Sequence, residues 1–325
     1  MPARRRTAFW VCIALGTAAI GVGGIYYATR HPAGARPIRI GYLPIVGDLP
    51  VFVAAERGYL SGEGLQFTLT ELRSGNEAAN ALLAGQTDVQ ATLGVTTLLP
   101  LAEKAPGRLK VIYSAVERPG TRSSAILVRK DNPAQTISSL RGLKIGTYSG
   151  LTQLQTLRLI LERHLDPRED VEIIQVEPRL QVQAFAAGQY QALFTIEPYV
   201  TIAVRQGVAR VLESDPRARE IVSPFWAAGT TVSAVFAQQR TADIARLRRA
   251  LDRAVRSIEA EEKSARALLT KYTPLEPALA QEVGLYQWTP LGGENRRAFS
   301  ELAEKMKRAG MIQRLIDASE VFYAP

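Results

Sequence analysis

The sequence predicts an α/β chain of two similar halves preceded by a hydrophobic segment, and three observations carry that expectation. The first is a repeat: Ile40-Gly41 followed by Ala84-Gly85-Gln86-Thr87-Asp88 returns as Ile145-Gly146 followed by Ala187-Gly188-Gln189-Tyr190-Gln191. Each copy opens on a basic residue, Arg39 or Lys144, and the spacing from Ile to Ala is nearly the same in both. Two segments sharing one order of elements give that spacing. The second observation is an alternation of strand and helix patterns through both halves, which implies mainly parallel sheets flanked by helices. The third is an uncharged run from Thr7 to Ala28 behind Arg4, Arg5 and Arg6.

As a helix, that run covers about 30 Å, enough for a bilayer, so segment 1–37 is expected to be an uncleaved membrane anchor with its linker. The small-x-small sequence Ala33-Gly34-Ala35 keeps open removal as a signal segment. Under both readings the arginines favour a cytoplasmic N-terminus and an exported body, periplasmic or on the extracytoplasmic face of the cytoplasmic membrane. Arg30 and Arg36 on the far side weaken that bias. Cys12 lacks the small residues before it that lipid attachment would want.

In the body, Ile38 to Leu43 reads as a strand, and a Pro/Gly-bounded loop through Asp48 and Leu49 leads to a helix from Val51 to Arg57. Leu65 to Glu71 alternates as a strand, Asn76 to Leu83 reads as a helix, Val89 to Leu93 as a strand and Thr96 to Glu103 as a helix. Leu109 to Val116 is a further strand, and Glu117-Arg118-Pro119-Gly120-Thr121 breaks the chain before a strand from Ala125 to Arg129. The second half follows with strands at Leu143 to Thr147, Val171 to Val176 and Leu193 to Ile196, separated by helices from Thr152 to His164 and from Leu180 to Ala187. Pro198 suits the first turn of a helix running to Arg205. After an irregular stretch, Val232 to Ala237 reads as a strand returning to the first half, and helices are expected at Ala242 to Ala260, Lys263 to Thr270, Glu294 to Arg308 and Ile312 to Ala318. The expected division is 38–118 with 232–325 as one lobe and 119–231 as the other.

Composition removes several function classes. Five of the nine net positive charges come from Arg4, Arg5, Arg6, Arg30 and Arg36, leaving +4 on the rest, with no basic stripe interleaved with aromatics. Nucleic acid is therefore not an expected partner. Beyond the leader and linker there is one histidine, His164, and no cysteine, too few for a nucleophilic triad or a His-rich metal site. No phosphate-binding glycine loop with its lysine occurs, and no cofactor is expected.

Ile40-Gly41-Tyr42-Leu43-Pro44, Glu56-Arg57-Gly58-Tyr59-Leu60, Leu83 to Asp88, Tyr148-Ser149-Gly150 and Glu197-Pro198-Tyr199 occur in an order and spacing that resemble the solute-binding proteins of nitrate/sulfonate/taurine-type ABC importers. These share a fold with thiamine-pyrimidine-precursor proteins. The resemblance spans about residues 38 to 320. It implies a type II periplasmic-binding fold, acting as a monomer, that closes on a small polar solute such as a sulfonate, nitrate, taurine or a pyrimidine. It also implies an ABC permease and ATPase as partners. Rival readings are a precursor-type enzyme, against which the single His164 argues, and a membrane-anchored sensory module.

Where relatives carry a histidine after the second-half glycine, this chain has Gly150-Leu151-Thr152-Gln153, so an oxyanion is expected at the helix-start amides with hydroxyls from Ser149 and Thr152. Ordinary capping by either hydroxyl stays open. Asp48, Leu49, Ser74, Asn76, Thr96, Thr97 and Thr230 are further candidate contacts, with Ser74 and Thr96 equally suited to capping. Glu197 would suit an amine or a pyrimidine amino group better than an anion, since a buried carboxylate facing an anion is costly.

Overall fold

In the computed structural model, which describes residues 36–149 and 151–324, the strands sort into two sheets. The first contains β1 (Ile38–Tyr42), β2 (Phe67–Glu71), β3 (Val89–Gly94), β4 (Leu109–Glu117), β10 (Phe225–Ser233) and β11 (Gln287–Thr289), in the order β11-β4-β10-β3-β1-β2. The second contains β5 (Ser124–Arg129), β6 (Lys144–Tyr148), β7 (Glu172–Val176), β8 (Ala192–Ile196) and β9 (Ala209–Ser214), in the order β7-β6-β8-β5-β9. The run β2-β1-β3-β10-β4 has the same layout as β7-β6-β8-β5-β9, so the two lobes share one topology.

The sequence repeat is the visible part of that shared topology. Ile40-Gly41 pairs in parallel with Val89-Gln90, and Ile145-Gly146 with Ala192-Leu193. At the strand start, Asp88 Oδ2 accepts the Arg39 amide at 3.0 Å, and Gln191 Oε1 accepts the Lys144 amide at 3.0 Å. The strand glycines are required by close approach: an added Cβ would lie 2.5 Å from the Gln90 side chain at Gly41 and 2.5 Å from the Tyr190 ring at Gly146.

The helices that matter for the site are α1 (Leu49–Glu56), α2 (Gly75–Leu83), α3 (Val95–Lys104), α4 (Leu151–Leu161), α5 (Pro178–Ala186) and α6 (Tyr199–Arg205). The long amphipathic helices α7 (Thr241–Ala260) and α8 (Gly293–Arg308) bury Ile244, Leu247, Leu251, Phe299 and Leu302 in the core.

Three expectations are corrected. The sheets are mixed rather than mainly parallel, because β10 runs antiparallel between β3 and β4, and β5 antiparallel between β8 and β9. Each of these two strands follows a crossing from the other sheet. The return strand is β10, Phe225–Ser233, with Ala234–Gln239 helical, so the return precedes residue 232. Nearly all of β10 is buried, which removes the alternation that marks a strand. The segment 312–317 is not helical and anchors itself through buried Ile312 and Ile316, with a single helical turn only at Ala318–Val321.

The expected membrane segment, Thr7 to Ala28, lies outside the described residues. Among the described residues no helix is long and apolar enough to cross a membrane.

Candidate functional site

A cleft opens between the two lobes at the carboxyl ends of the parallel strands, where open α/β sheets place their ligands. From the first lobe it is lined by Leu43 to Ile45 after β1, Arg73 to Asn76 after β2, and Thr92 and Gly94 to Thr97 at the end of β3. The second lobe contributes Tyr148, Ser149, Gln153 and Thr156 after β6, Pro178, Arg179 and Gln181 after β7, and Thr195, Ile196 and Tyr199 after β8. Arg217, Phe225, Ala227 and Tyr286 come from the side where the chain passes between lobes. The open space is about 110 Å³, suited to a solute of several heavy atoms rather than a chain.

The lobes touch across this space. Gln153 Nε2 donates to Thr96 Oγ1 at 2.8 Å, and Arg179 forms an ion pair with Glu71. Thr96 therefore acts as an acceptor between lobes and not as a helix cap. Ser74 does cap α2, its hydroxyl accepting the Glu77 amide at 3.2 Å, while still lining the cleft.

Of the residues expected from sequence, Ser74, Asn76, Thr96, Thr97 and Ser149 are brought together here. Gly150 and the side chain of Thr152 lie outside the described residues. Asp48, Leu49, Glu197 and Thr230 do not line the cleft. Asp48 and Leu49 are fully buried at the start of α1, where Asp48 Oδ2 accepts the Leu43 amide at 2.7 Å and so holds the loop that does line it. Burial pushes the Asp48 carboxyl up to about 7, against the opposing pull of Thr92 and the Leu43 amide. Thr230 donates its hydroxyl to Ala91 O at 2.9 Å inside the first sheet.

Glu197 is the instructive correction. Its carboxylate accepts the Thr201 amide at 3.0 Å, the Thr201 hydroxyl at 2.8 Å and the Gly284 amide at 3.1 Å. It is a buried tie from the start of α6 to the segment before β11, and burial pushes its carboxyl up to about 7. An acid directly after a strand reads in sequence as a ligand contact, yet the strand end turns Glu197 away while Ile196 and Tyr199 face the cleft. Trp226 belongs to the core, donating to Ser114 Oγ at 2.9 Å and packing edge-on against Phe299. His164 pairs with Glu220 at 2.9 Å, away from the cleft lining.

Sequence reasoning missed Arg217, Tyr286, Gln181 and Tyr148. Arg217 is buried, donates from Nε to Glu117 at 3.0 Å and from Nη2 to Tyr286 Oη at 3.0 Å, and lies against the Phe225 ring. Burial raises the Tyr148 and Tyr286 hydroxyls above the ordinary tyrosine range, so both stay protonated at neutral pH. Gln181 accepts the Thr195 hydroxyl on Oε1 at 2.7 Å. Tyr148 stands in the Tyr148-Ser149-Gly150 motif but is not among the expected contacts, and nothing in the linear pattern marks Gln181, Arg217 or Tyr286.

Arg73, Arg179 and Arg217 are the charged residues of the lining and no carboxylate is among them, although each arginine is paired with a carboxylate outside the lining, Glu77, Glu71 and Glu117 respectively. Among the described residues no His/Cys/Asp/Glu group could hold a metal ion.

The model of the NMT1-like family matches residues 31–272. A putative aliphatic sulfonates-binding protein of Bacillus subtilis (strain 168) is 24% identical over 294 residues, covering 88% of this chain and 85% of that protein. The alkanesulfonate-binding protein SsuA from Xanthomonas axonopodis pv. citri, bound to MOPS, superposes with a TM-score of 0.74 at 22% identity, covering 90% of this chain and 99% of the other. The desulfurization enzyme DszB also superposes, with a TM-score of 0.61 at 17% identity over 87% of this chain and 95% of the other. The fold alone therefore does not separate binding from catalysis.

Proposed function

From the premise that the chain belongs to the NMT1-like family, we propose that it is an extracytoplasmic receptor that closes on a small anionic solute of the sulfonate kind and delivers it, unchanged, to an ABC importer. The carrying observation is the lining of the cleft: arginines and neutral donors, with no carboxylate. A cation entering this space meets no lining carboxylate, whereas an anion meets hydrogen-bond donors and guanidinium groups whose carboxylate partners lie outside the lining. Glu197, the residue that suited an amine, is committed elsewhere. The likeness to an aliphatic sulfonates-binding protein and to a solved alkanesulfonate-binding protein supports the same solute class.

Delivery follows from closure. The contacts Gln153 to Thr96 and Arg179 to Glu71 form only when the lobes approach, so a solute seated between them favours the closed arrangement that a permease would recognise. We take 38–118 with 225–325 as the first lobe and 119–224 as the second, and the segment 1–37 as the export signal or tether. A tether would raise the receptor's effective concentration at a permease in the same membrane.

A thermal-shift series with alkanesulfonates, nitrate, taurine, pyrimidines and alkylamines tests this reading. The expected result is a concentration-dependent rise with sulfonates and none with amines. Stabilisation by amines alone would overturn it.

A further inference from the structure

Two polar side chains lining the cleft are buried and lack hydrogen-bond partners: Gln181, through Nε2, and Tyr199, through its hydroxyl. Gln181 is 0% exposed and Tyr199 4%. Buried polar atoms in folded proteins are paired in the great majority of cases, and an unpaired one carries a desolvation cost of about 1–3 kcal/mol. Two such atoms in one cavity point to an occupant that completes them.

Both are held in place by the second lobe. The Thr195 hydroxyl occupies Gln181 Oε1, which leaves the amide nitrogen as the unpaired end of the side chain, and Tyr190 donates to the Gln181 main-chain carbonyl. Tyr190, in the turn between α5 and β8, is the residue against which Gly146 of the repeat packs, which ties the seat to the start of the second sheet. The Tyr199 ring belongs to the second-lobe core with Val182, Phe185 and Tyr190. Its hydroxyl stays neutral, since burial raises its pKa and Arg179 opposes that only in part. Arg217 supplies less charge to the cleft than its position suggests, because Glu117 compensates it.

Resting on the anionic-solute reading, we propose that Gln181 Nε2 and Tyr199 Oη are the specificity-determining donors for the solute's head group, and that this head group carries at least two acceptor oxygens on one centre, as a sulfonate does. Recognition at depth is then by fixed neutral dipoles, with the arginines placed around them. Groups already ordered by their neighbours lose little entropy on binding, so the seat favours an oxyanion without a buried unpaired charge in the empty protein.

The test uses the full chain as wild type, Gln181→Leu, Tyr199→Phe and Gln181→Glu, with ethanesulfonate and MOPS as probes. Unliganded melting temperature and calorimetric Kd are both measured. Tyr199→Phe removes only an atom that has no partner, so its unliganded melting temperature is expected to equal or exceed wild type, whereas Gln181→Leu also strands the Thr195 hydroxyl and is expected to melt lower; Kd weakens about tenfold or more for each. Gln181→Glu keeps the Thr195 bond and places a second acceptor toward the solute, so binding is expected to be lost. A melting temperature that falls in Tyr199→Phe, or a Kd unchanged in both variants, would overturn the assignment. Absence of sulfonate binding in the wild type would sink the anionic-solute reading, and with it the head-group chemistry. Tyr199 as a ligand-facing group would then stand on a retained melting temperature in Tyr199→Phe and fall on a lowered one.

Discussion

The passage between the lobes and the cleft beside it are both buried and polar, yet they are completed differently. At the passage two carboxylates clasp each other's chain segment. Glu117, at the end of β4, accepts from Ser123 Oγ at 2.9 Å, Ser124 Oγ at 2.7 Å, Arg217 Nε at 3.0 Å and the Ala218 amide at 3.1 Å. Asp215, just after β9, accepts from the Gly120 amide at 2.9 Å, the Thr121 hydroxyl at 2.9 Å and the amides of Arg122 and Ser123, each at 3.0 Å. Each outgoing segment is held by a carboxylate of the returning one, and the reverse. In the cleft, by contrast, Gln181 and Tyr199 keep unpaired atoms. The saturated carboxylates hold the passage together, and the unsaturated donors that line the cleft are left for a ligand.

The strongest way to break that comparison is Glu117→Ala. It strands Arg217 in the interior without its counter-charge, and a loss of about 3–5 kcal/mol in denaturant unfolding is expected. A loss no larger than that of a surface acid would show the clasp to be solvated.

The next largest effect concerns pH. The Asp48 and Glu197 carboxyls are both raised to about 7 in the fold, from 3.8 and 4.5, so the folded protein holds these protons more tightly than the unfolded chain. Their contribution to stability is full below the ordinary carboxyl range and is lost as pH rises through about 7, at most about 4 kcal/mol for Asp48 and about 3 kcal/mol for Glu197. Unfolding measured between pH 4.5 and 7.5 should show stability falling over this window, and Glu197→Gln should flatten the slope. An unchanged slope in that variant would remove Glu197 from the account.

Asp215→Asn sharpens the comparison further, because an amide nitrogen then faces main-chain donors; a loss of about 1–3 kcal/mol is expected in the same unfolding assay. Smallest is Thr96→Ala, which deletes the acceptor of the bond from Gln153 and should weaken solute affinity by about 0.5–1.5 kcal/mol with little change in unliganded stability.

What was legible in the sequence was the part written locally. Ile40-Gly41 and Ile145-Gly146 signal their strands because close packing against Gln90 and Tyr190 excludes a side chain there, and the Ala-Gly-Gln turns signal helix ends because Gly85 and Gly188 take φ of +67° and +76°. The strand β10 was not legible, since a segment buried on both faces loses its alternation, and neither was its antiparallel direction, which depends on crossing between lobes. The site was half legible. Ser74, Thr96 and Ser149 follow strands and do line the cleft, but Glu197 also follows one and turns away. Gln181 lies inside α5, where a glutamine looks like any solvated helix residue until Thr195 and Tyr190 are seen to enclose it. Arg217 acquires its place only through Glu117, one hundred residues earlier in the chain.

The most direct measurement is a crystal structure of the full chain grown with an alkanesulfonate. The expected result places sulfonate oxygens within hydrogen-bond distance of Gln181 Nε2 and Tyr199 Oη, with the bond from Gln153 to Thr96 closed over the solute. A sulfonate seated elsewhere, or an occupied cleft in which those two atoms remain unpaired, would contradict the account.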